Sequence, residues 1–287
     1  MISNNDLAMQ RDPANVDPAT VRDFGREWRR FDQSGVSEEE LTQLFDRYFA
    51  VFPWESVPPS GAGFDAGCGS GRWAALVAPR VGRLYCVDAS TDALGVAQRV
   101  LAGLGNVSFH AAALDAMPFR DGSMDFGYSI GVLHHLPNPE AGLAACVQKL
   151  KRGAPMLVYI YYAFDNRPAW YRALWRASDV LRRAISMAPF RLKSALAEIC
   201  AIVIYWPLAR GARLFERLGC DVTNWPLAAY RQRGCYTMRT DALDRFGTRL
   251  EHRMSRTQIK ALMERAGLRD IRFSDHEPFW CAVGRKT

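Results

Sequence analysis

The stretch GFDAGCGSGRW, residues 63–73, sets Gly67, Gly69 and Gly71 at every second position, with Asp65 two residues ahead of the first. A turn of this kind lets the backbone approach a ligand closely, because glycine lacks a Cβ and tolerates positive φ. The dinucleotide fingerprint G-x-G-x-x-G is not met, since Arg72 stands where its third glycine would be. The phosphate-cradling G-x-x-x-x-G-K-[ST] is absent as well. The turn therefore suits a ligand without a required phosphate, or else is only a tight strand-to-helix connection. Asp88 follows Gly67 by 21 residues. In a doubly wound sheet that position faces the crevice beside the first turn, where a carboxylate can accept from both hydroxyls of a ribose. The plain structural alternative is a helix N-cap at Asp88 or Ser90. Asp65 needs donors if buried, and either the turn amides or a ligand ammonium group would serve.

Other groups could act on a substrate. His134 and His135 follow a predicted fourth strand, near where substrate would sit, and one of them is a candidate general base; the alternative is that they cap or fill space. Tyr159 and Tyr161 share one face of a predicted fifth strand, and either border a pocket or belong to the core. His252, Tyr236, Arg231 and Arg249 lie in an arginine-rich stretch further on. The five histidines show no ligand spacing, and the seven cysteines contain no C-x-x-C pair. Reduced thiols in a cytoplasmic protein, without a metal, are expected.

The elements that must position these residues alternate. Ser37 and Glu40 predict a capping box opening a helix over residues 37–52. Strands are expected at GFDAGC, RLYCVDAS, NVSFHAAA, MDFGYSIGVLHHL and APMLVYIYYA, with helices between them. Ser255 with Gln258 predicts a further capped helix, followed by two last strands. This pattern is an α/β, doubly wound, mostly parallel sheet of seven strands, interrupted after the fifth strand by helical sequence. The boundaries read as a flexible arm over 1–20, an N-terminal helical lid over 21–58, the ligand-binding core over 59–164, a helical cap for substrate selection over 165–253 and the C-terminal part of the core sheet over 254–287. The longest apolar run, 199–209, is about half of what a spanning helix needs and reads as a buried helix, or less readily as an interfacial one.

The motifs FDAGCGSGRW, VDAS, LDAMPFRDGSMDF and VLHHLPNP together resemble a class I S-adenosylmethionine-dependent methyltransferase of the small-molecule type that includes quinone-biosynthesis C-methyltransferases. The resemblance covers about residues 60–162 and the final helix and strands. It implies a Rossmann-like core and S-adenosylmethionine as methyl donor, with S-adenosylhomocysteine as product. It implies that Asp65, Gly67, Cys68, Gly69 and Gly71 cradle the methionine part. Asp88 would bind the ribose and Ala89 pack on the adenine, with Ala113 and Leu114 at its edge. Ile130 and Gly131 would sit near the methionine part. The family often has an acidic residue where Ala113 stands, so that contact must come from backbone, water or Asp115. Phe24, Trp28 and Phe31 share one face of a front helix that in similar enzymes closes over the cofactor; a simple packing helix is the alternative. The N-P-P-Y motif of nucleobase amino-methyltransferases is missing, and no nucleic-acid-binding module is visible.

Within this resemblance His134, Tyr161 and His252 are the candidate catalytic residues, and Trp28 joins the cofactor set. Phe24, His135, Tyr159, Arg231, Tyr236 and Arg249 are the candidate substrate contacts. The charge points to the acceptor. Residues 165–253 hold 16 Arg or Lys against 8 Asp or Glu, a net +8, while the whole chain is +7. An insertion that is apolar in one part and arginine-rich in another suits an amphiphilic anionic small molecule, such as an isoprenoid, a lipid-linked intermediate or an acidic aromatic. Solvated helix faces and docking on an anionic membrane surface are the other readings. A cofactor-binding partner or sensor without catalysis, and a nicotinamide oxidoreductase, are the competing functions; the G-x-G-x-G spacing and Arg72 count against the latter. Oligomeric state is left open.

Overall fold

The computed structural model describes residues 15–287. Strands β1 (Ala62–Ala66), β2 (Arg83–Asp88), β3 (Val107–Ala111), β4 (Phe126–Ile130), β5 (Pro155–Tyr159), β6 (Leu268–Phe273) and β7 (Cys281–Lys286) form one sheet in the order β3-β2-β1-β4-β5-β7-β6. The first five run parallel, and β7 runs against both of its neighbours. The chain builds outward from β1 to β3, then returns to place β4 on the other side of β1. That reversal opens a crevice at the carboxyl ends of β1 and β4, the usual ligand position in such sheets.

Alternation along the strands feeds two apolar layers. Phe64 and Ala66 of β1 meet Leu143 of α5 (Pro139–Lys149) and Leu262 of α10 (Arg256–Arg265) on one face. Phe126, Tyr128 and Ile130 of β4 point to the other, toward α3 (Ala74–Val77) and Leu94 of α4 (Thr91–Val100). Phe45 of α2 (Glu38–Tyr48) is buried in that same layer. This part of the front segment is thus built into the sheet's cover and is no lid.

The caps behave largely as their residues dictate. Ser90 caps α4 and Asn138 caps α5. Ser255 and Gln258 form the full box at α10. The box expected at α2 is only half made: Ser37 accepts from the Glu40 amide, but the Glu40 side chain turns away. It accepts instead from Gly234 N (3.1 Å) and Thr237 Oγ1 (2.7 Å) and so caps α9 (Cys235–Gly247), almost 200 residues later.

The front helix α1 (Pro18–Arg30) begins inside the stretch expected to be a loose arm. Asp17 caps it, and Asn15 is held by Asp115 and by Asn138. The remainder of the arm, residues 1–14, lies outside the described residues. Between β5 and α10 run α6 (Ala169–Ser186), α7 (Phe190–Cys200), α8 (Trp206–Arg217) and α9. They close around a third apolar cluster that includes Ala197, Tyr205 and Met238, together with Phe31 at the end of α1.

A π-helical turn, Ala201–Tyr205, joins α7 to α8. Pro207 has no N–H to return to Val203, and widening of the preceding turn accommodates that loss. The apolar run 199–209 is consequently not a buried helix. Ala201, Tyr205 and Ala209 face inward, while Ile199 (56% exposed) and Val203 (65%) face out. The two inward alanines permit close packing on α9, Tyr205 fills the cluster between them, and the β-branched residues are left outside.

Candidate active site

The glycine turn after β1 adopts positive φ at all three glycines, +81° at Gly67, +54° at Gly69 and +80° at Gly71. Each has a different neighbour. A Cβ at Gly67 would fall 2.4 Å from Val132, and one at Gly69 would fall 3.0 Å from the indole of Trp28. A Cβ at Gly71 would strike Leu101 and Ala97, so this glycine serves the packing of α4 and not a ligand. Beside the turn lies a first cavity. Gly67, Cys68, Gly69, Asp88, Ala89, Ala113, Leu114, Ile130 and Trp28 all line it, which joins nine positions spread over residues 28–130.

The Asp88 carboxylate accepts from Gly69 N (2.9 Å) and Ser90 N (2.8 Å). It therefore fixes the glycine turn to the end of β2, and Ser90 does the helix capping. Burial pushes the Asp88 carboxyl above its ordinary range, and the two amides pull the other way. Asp65 sits under the turn, 1% exposed and behind the lining of both cavities; its Oδ2 has no hydrogen-bond partner, and the buried Tyr128 hydroxyl lies near enough to oppose the rise of its pKa. Burial drives its pKa from the ordinary 3.8 up to about 8. An orphaned buried carboxylate beside an open glycine cradle fits a ligand that brings its own ammonium group.

A second cavity opens on the other side of Ile130 and Gly131. Phe24, Trp28, Arg72, Ile130 and Gly131 line both, so the two cavities share a wall. Tyr48, Tyr159, Tyr161, Tyr205 and Tyr230 give the second cavity an aromatic lining. Arg167, Arg233, Arg245 and Arg253 also line it, as do Asp241 and Asp244 of α9. Arg167 pairs with Glu277, and Arg253 with Glu251 at 2.6 Å, packed by Tyr161, Phe164 and Trp175. Arg245 donates to Ser178 Oγ, but its Nε is buried without a partner.

A polar chain crosses the shared wall. The Tyr161 hydroxyl donates to Asp244 Oδ2. Asp244 Oδ1 lies 3.5 Å from His135 Nε2. His135 Nδ1 meets the Leu250 carbonyl at 2.7 Å, which assigns the neutral ring's proton to Nδ1 and leaves Nε2 as a base. Burial holds the Tyr161 hydroxyl well above its usual pKa, and Asp244 adds to this, so Tyr161 acts as a donor.

Several expected residues lie elsewhere. His134 is fully buried, its ring stacked 3.9 Å from that of Tyr161, and lines neither cavity. Burial pushes its pKa well down, which fits a neutral packing histidine. His252 gives its amide to the His134 carbonyl and lines neither cavity. Arg231 is bound to Glu216, and Arg249 is exposed. Tyr236 packs on Phe31 and accepts from Gln33 N. None of these three lines the second cavity. Phe24 touches His135 at 4.9 Å, and Tyr159 meets Tyr48 edge-on at 5.0 Å, so both stay at the site. The residues missed are Asp241 and Asp244. Their signal is a pair of acids one turn apart in an otherwise basic helix.

Residues 64–158 match the family model described as a methyltransferase domain. The match runs from the first strand to the fifth, the part of the sheet that carries the glycine turn and Asp88. Among relatives of this domain, an uncharacterized protein of Synechococcus is 33% identical over 103 residues, which are 34% of this chain and 24% of that protein. Ubiquinone biosynthesis O-methyltransferase of Burkholderia multivorans is 31% identical over 155 residues, 53% of this chain and 65% of its own length. The chain thus spans less than two thirds of these relatives. In fold, the chain is similar to a SAM dependent methyltransferase from Aquifex aeolicus, with a TM-score of 0.50 and 14% identity over 91% of this chain and 96% of that one. S-adenosylmethionine, the cofactor that the motif resemblance implies, fits the Gly67–Gly69 cradle and the unpartnered Asp65 oxygen beneath it.

Proposed function

We propose that this chain methylates a hydroxyl of an amphiphilic, anionic small molecule, with the cofactor in the first cavity and the acceptor in the second. The observation that carries this reading is the common wall: Phe24, Trp28, Arg72, Ile130 and Gly131 border both cavities. A methyl group passing in line from donor to acceptor needs such a shared boundary, closed to water. Bound S-adenosylmethionine supplies an activated methyl carbon, so no metal or nucleophilic side chain is required.

The chain's residues then have distinct tasks. Asp65 receives the ammonium group and the glycine turn leaves room for the chain that bears it. Asp88 turns toward the ribose from its anchorage on Gly69 and Ser90. Trp28 covers the turn. In the second cavity the tyrosines sandwich the apolar part of the acceptor, and the unpaired Arg245 Nε takes its anionic part. Asp244 faces the acceptor hydroxyl and takes its proton, and His135 Nε2 receives that proton behind it. The oxygen–carbon bond forms as the carbon–sulfur bond breaks, and the lost sulfonium charge balances the lost proton. The similarity to a ubiquinone biosynthesis O-methyltransferase supports hydroxyl chemistry.

The test is to incubate the protein with S-adenosylmethionine and a series of alkylated hydroxybenzoates and to follow S-adenosylhomocysteine. Turnover that rises with alkyl length and needs the carboxylate supports the reading. Binding of S-adenosylhomocysteine without turnover on any hydroxylated acceptor would favour a non-catalytic binding or sensing role.

A further inference from the structure

The insertion carries a surface that the reaction does not use. Of the fifteen large apolar side chains exposed among the described residues, fourteen fall between Trp170 and Leu218, on α6 to α8. The sheet domain contributes only Val100. Met187, Val203 and Leu218 are each about two thirds exposed, at 68%, 65% and 67%. Exposed apolar residues scattered singly need no explanation, but a concentration on one structural unit does.

Charge says what covers it. Residues 169–218 contain nine Arg or Lys and three Asp or Glu. The three acids are all engaged: Asp179 with Arg182 and Arg183, Glu198 with Arg30 and Arg239, and Glu216 with Arg231. None of them is exposed, whereas Arg176, Arg191, Arg213 and Arg217 are exposed and form no ion pair with a described residue. The face therefore presents apolar side chains and cations only. Two copies joined by such a face would set cation against cation, since a two-fold interface uses the same patch twice. An anionic bilayer offers both an apolar layer and negative headgroups.

We propose that the outer face of α6, α7 and α8 docks on an anionic lipid bilayer, with the helices lying in its plane. The continuous helix Phe190–Arg217, 28 residues, is long and apolar enough to cross a membrane by length and composition. Its inner face opposes crossing. Lys193, 2% exposed, binds Asp23 and the Gly247 carbonyl, and Tyr205 packs on Tyr230. Insertion across the bilayer would strip these contacts, while docking in the plane keeps them. Exposed Trp170 and Trp206 are the residue type that settles at the headgroup level. The π-helical turn at Ala201–Tyr205 adds to the face by turning Ile202, Val203 and Ile204 outward in succession.

The experiment is vesicle flotation of the full chain, with phosphatidylcholine vesicles compared with vesicles of phosphatidylcholine and phosphatidylglycerol in equal parts. The chain is expected to float with the mixed vesicles and at least roughly tenfold less with phosphatidylcholine alone. The double variant Ile202→Glu/Val203→Glu should lower partitioning roughly 100-fold. Both side chains are exposed, and retained binding of S-adenosylhomocysteine checks the fold. Arg213→Glu/Arg217→Glu should remove the preference for anionic lipid while leaving weak residual binding. Equal flotation of the apolar double variant and the wild type would overturn the proposal. So would a wild type that fails to float, and sedimentation as a dimer that the double variant dissociates would then assign the face to a second copy.

Discussion

The indole of Trp28 stands over the backbone of Gly69, so close that a Cβ on that glycine would fall 3.0 Å from the ring. A residue of the front helix thus completes the wall of a site whose floor belongs to the sheet. Trp28→Ala should leave the fold intact and weaken S-adenosylhomocysteine binding about 10- to 100-fold, the loss of one aromatic wall. Gly69→Ala should do more, since it adds about 1–2 kcal/mol of left-handed strain to the steric conflict. Calorimetric titration measures the binding, and thermal unfolding checks the fold.

Asp65 makes cofactor binding depend on pH. With its pKa pushed up to about 8, the free protein holds this carboxyl protonated at neutral pH, and an ammonium group needs it ionised. Affinity for S-adenosylhomocysteine should therefore rise about tenfold per pH unit as pH climbs toward 8, then level off. Asp65→Asn should bind weakly and show no such slope. Stability moves the other way. The folded chain keeps a proton that the unfolded chain loses near 3.8, so wild-type stability falls as pH rises from 3.8 to about 8. Above that window the ligand-free Asn variant should be the more stable by about 1–3 kcal/mol, the cost of an unpartnered buried group.

Arg245 and Arg249 separate the anion reading from surface charge. Arg245→Met should raise acceptor KM about 10- to 100-fold with little change in kcat, the value of a hydrogen bond to a charged group. Arg249→Glu, on an exposed residue outside the cavity, should change neither. Steady-state kinetics on the alkylated hydroxybenzoates reads both.

Asp244 and His135 should behave as a unit. Asp244→Asn should lower kcat about 10²- to 10⁴-fold, and His135→Gln should bring a similar loss with no further penalty in the double variant. Tyr161→Phe should cost less, because it removes a donor to Asp244 and not the proton acceptor itself.

Much of this molecule is legible in residue order. The glycine turn, Asp88 and the alternation of strands and helices fix the sheet, because each depends on local spacing. Asp65 shows its importance through type and position alone. The acceptor side is harder to read. Asp244 and Arg245 lie more than 100 residues from His135, and only the packing of α9 against α1, α6 and α7 brings them to the same site. His134 and His135 are neighbours of one type and both are buried, and one step of a short 3₁₀ segment decides which stacks on Tyr161 and which faces Asp244. Arginine is even less revealing. Arg231, Arg245 and Arg249 look alike in sequence, and only the partner each finds distinguishes an ion pair, a cavity wall and a solvated end.

Glu40 caps a helix that begins almost 200 residues beyond it, through Gly234 N and Thr237 Oγ1. The front segment and the insertion are therefore not independent modules. A chimera that borrows the insertion of a relative would lose this clasp unless residues 37–43 travelled with it. The wall of the second cavity is inherited in two pieces of sequence, and exchange of one without the other would release α9, and with it Asp241 and Asp244, from that wall.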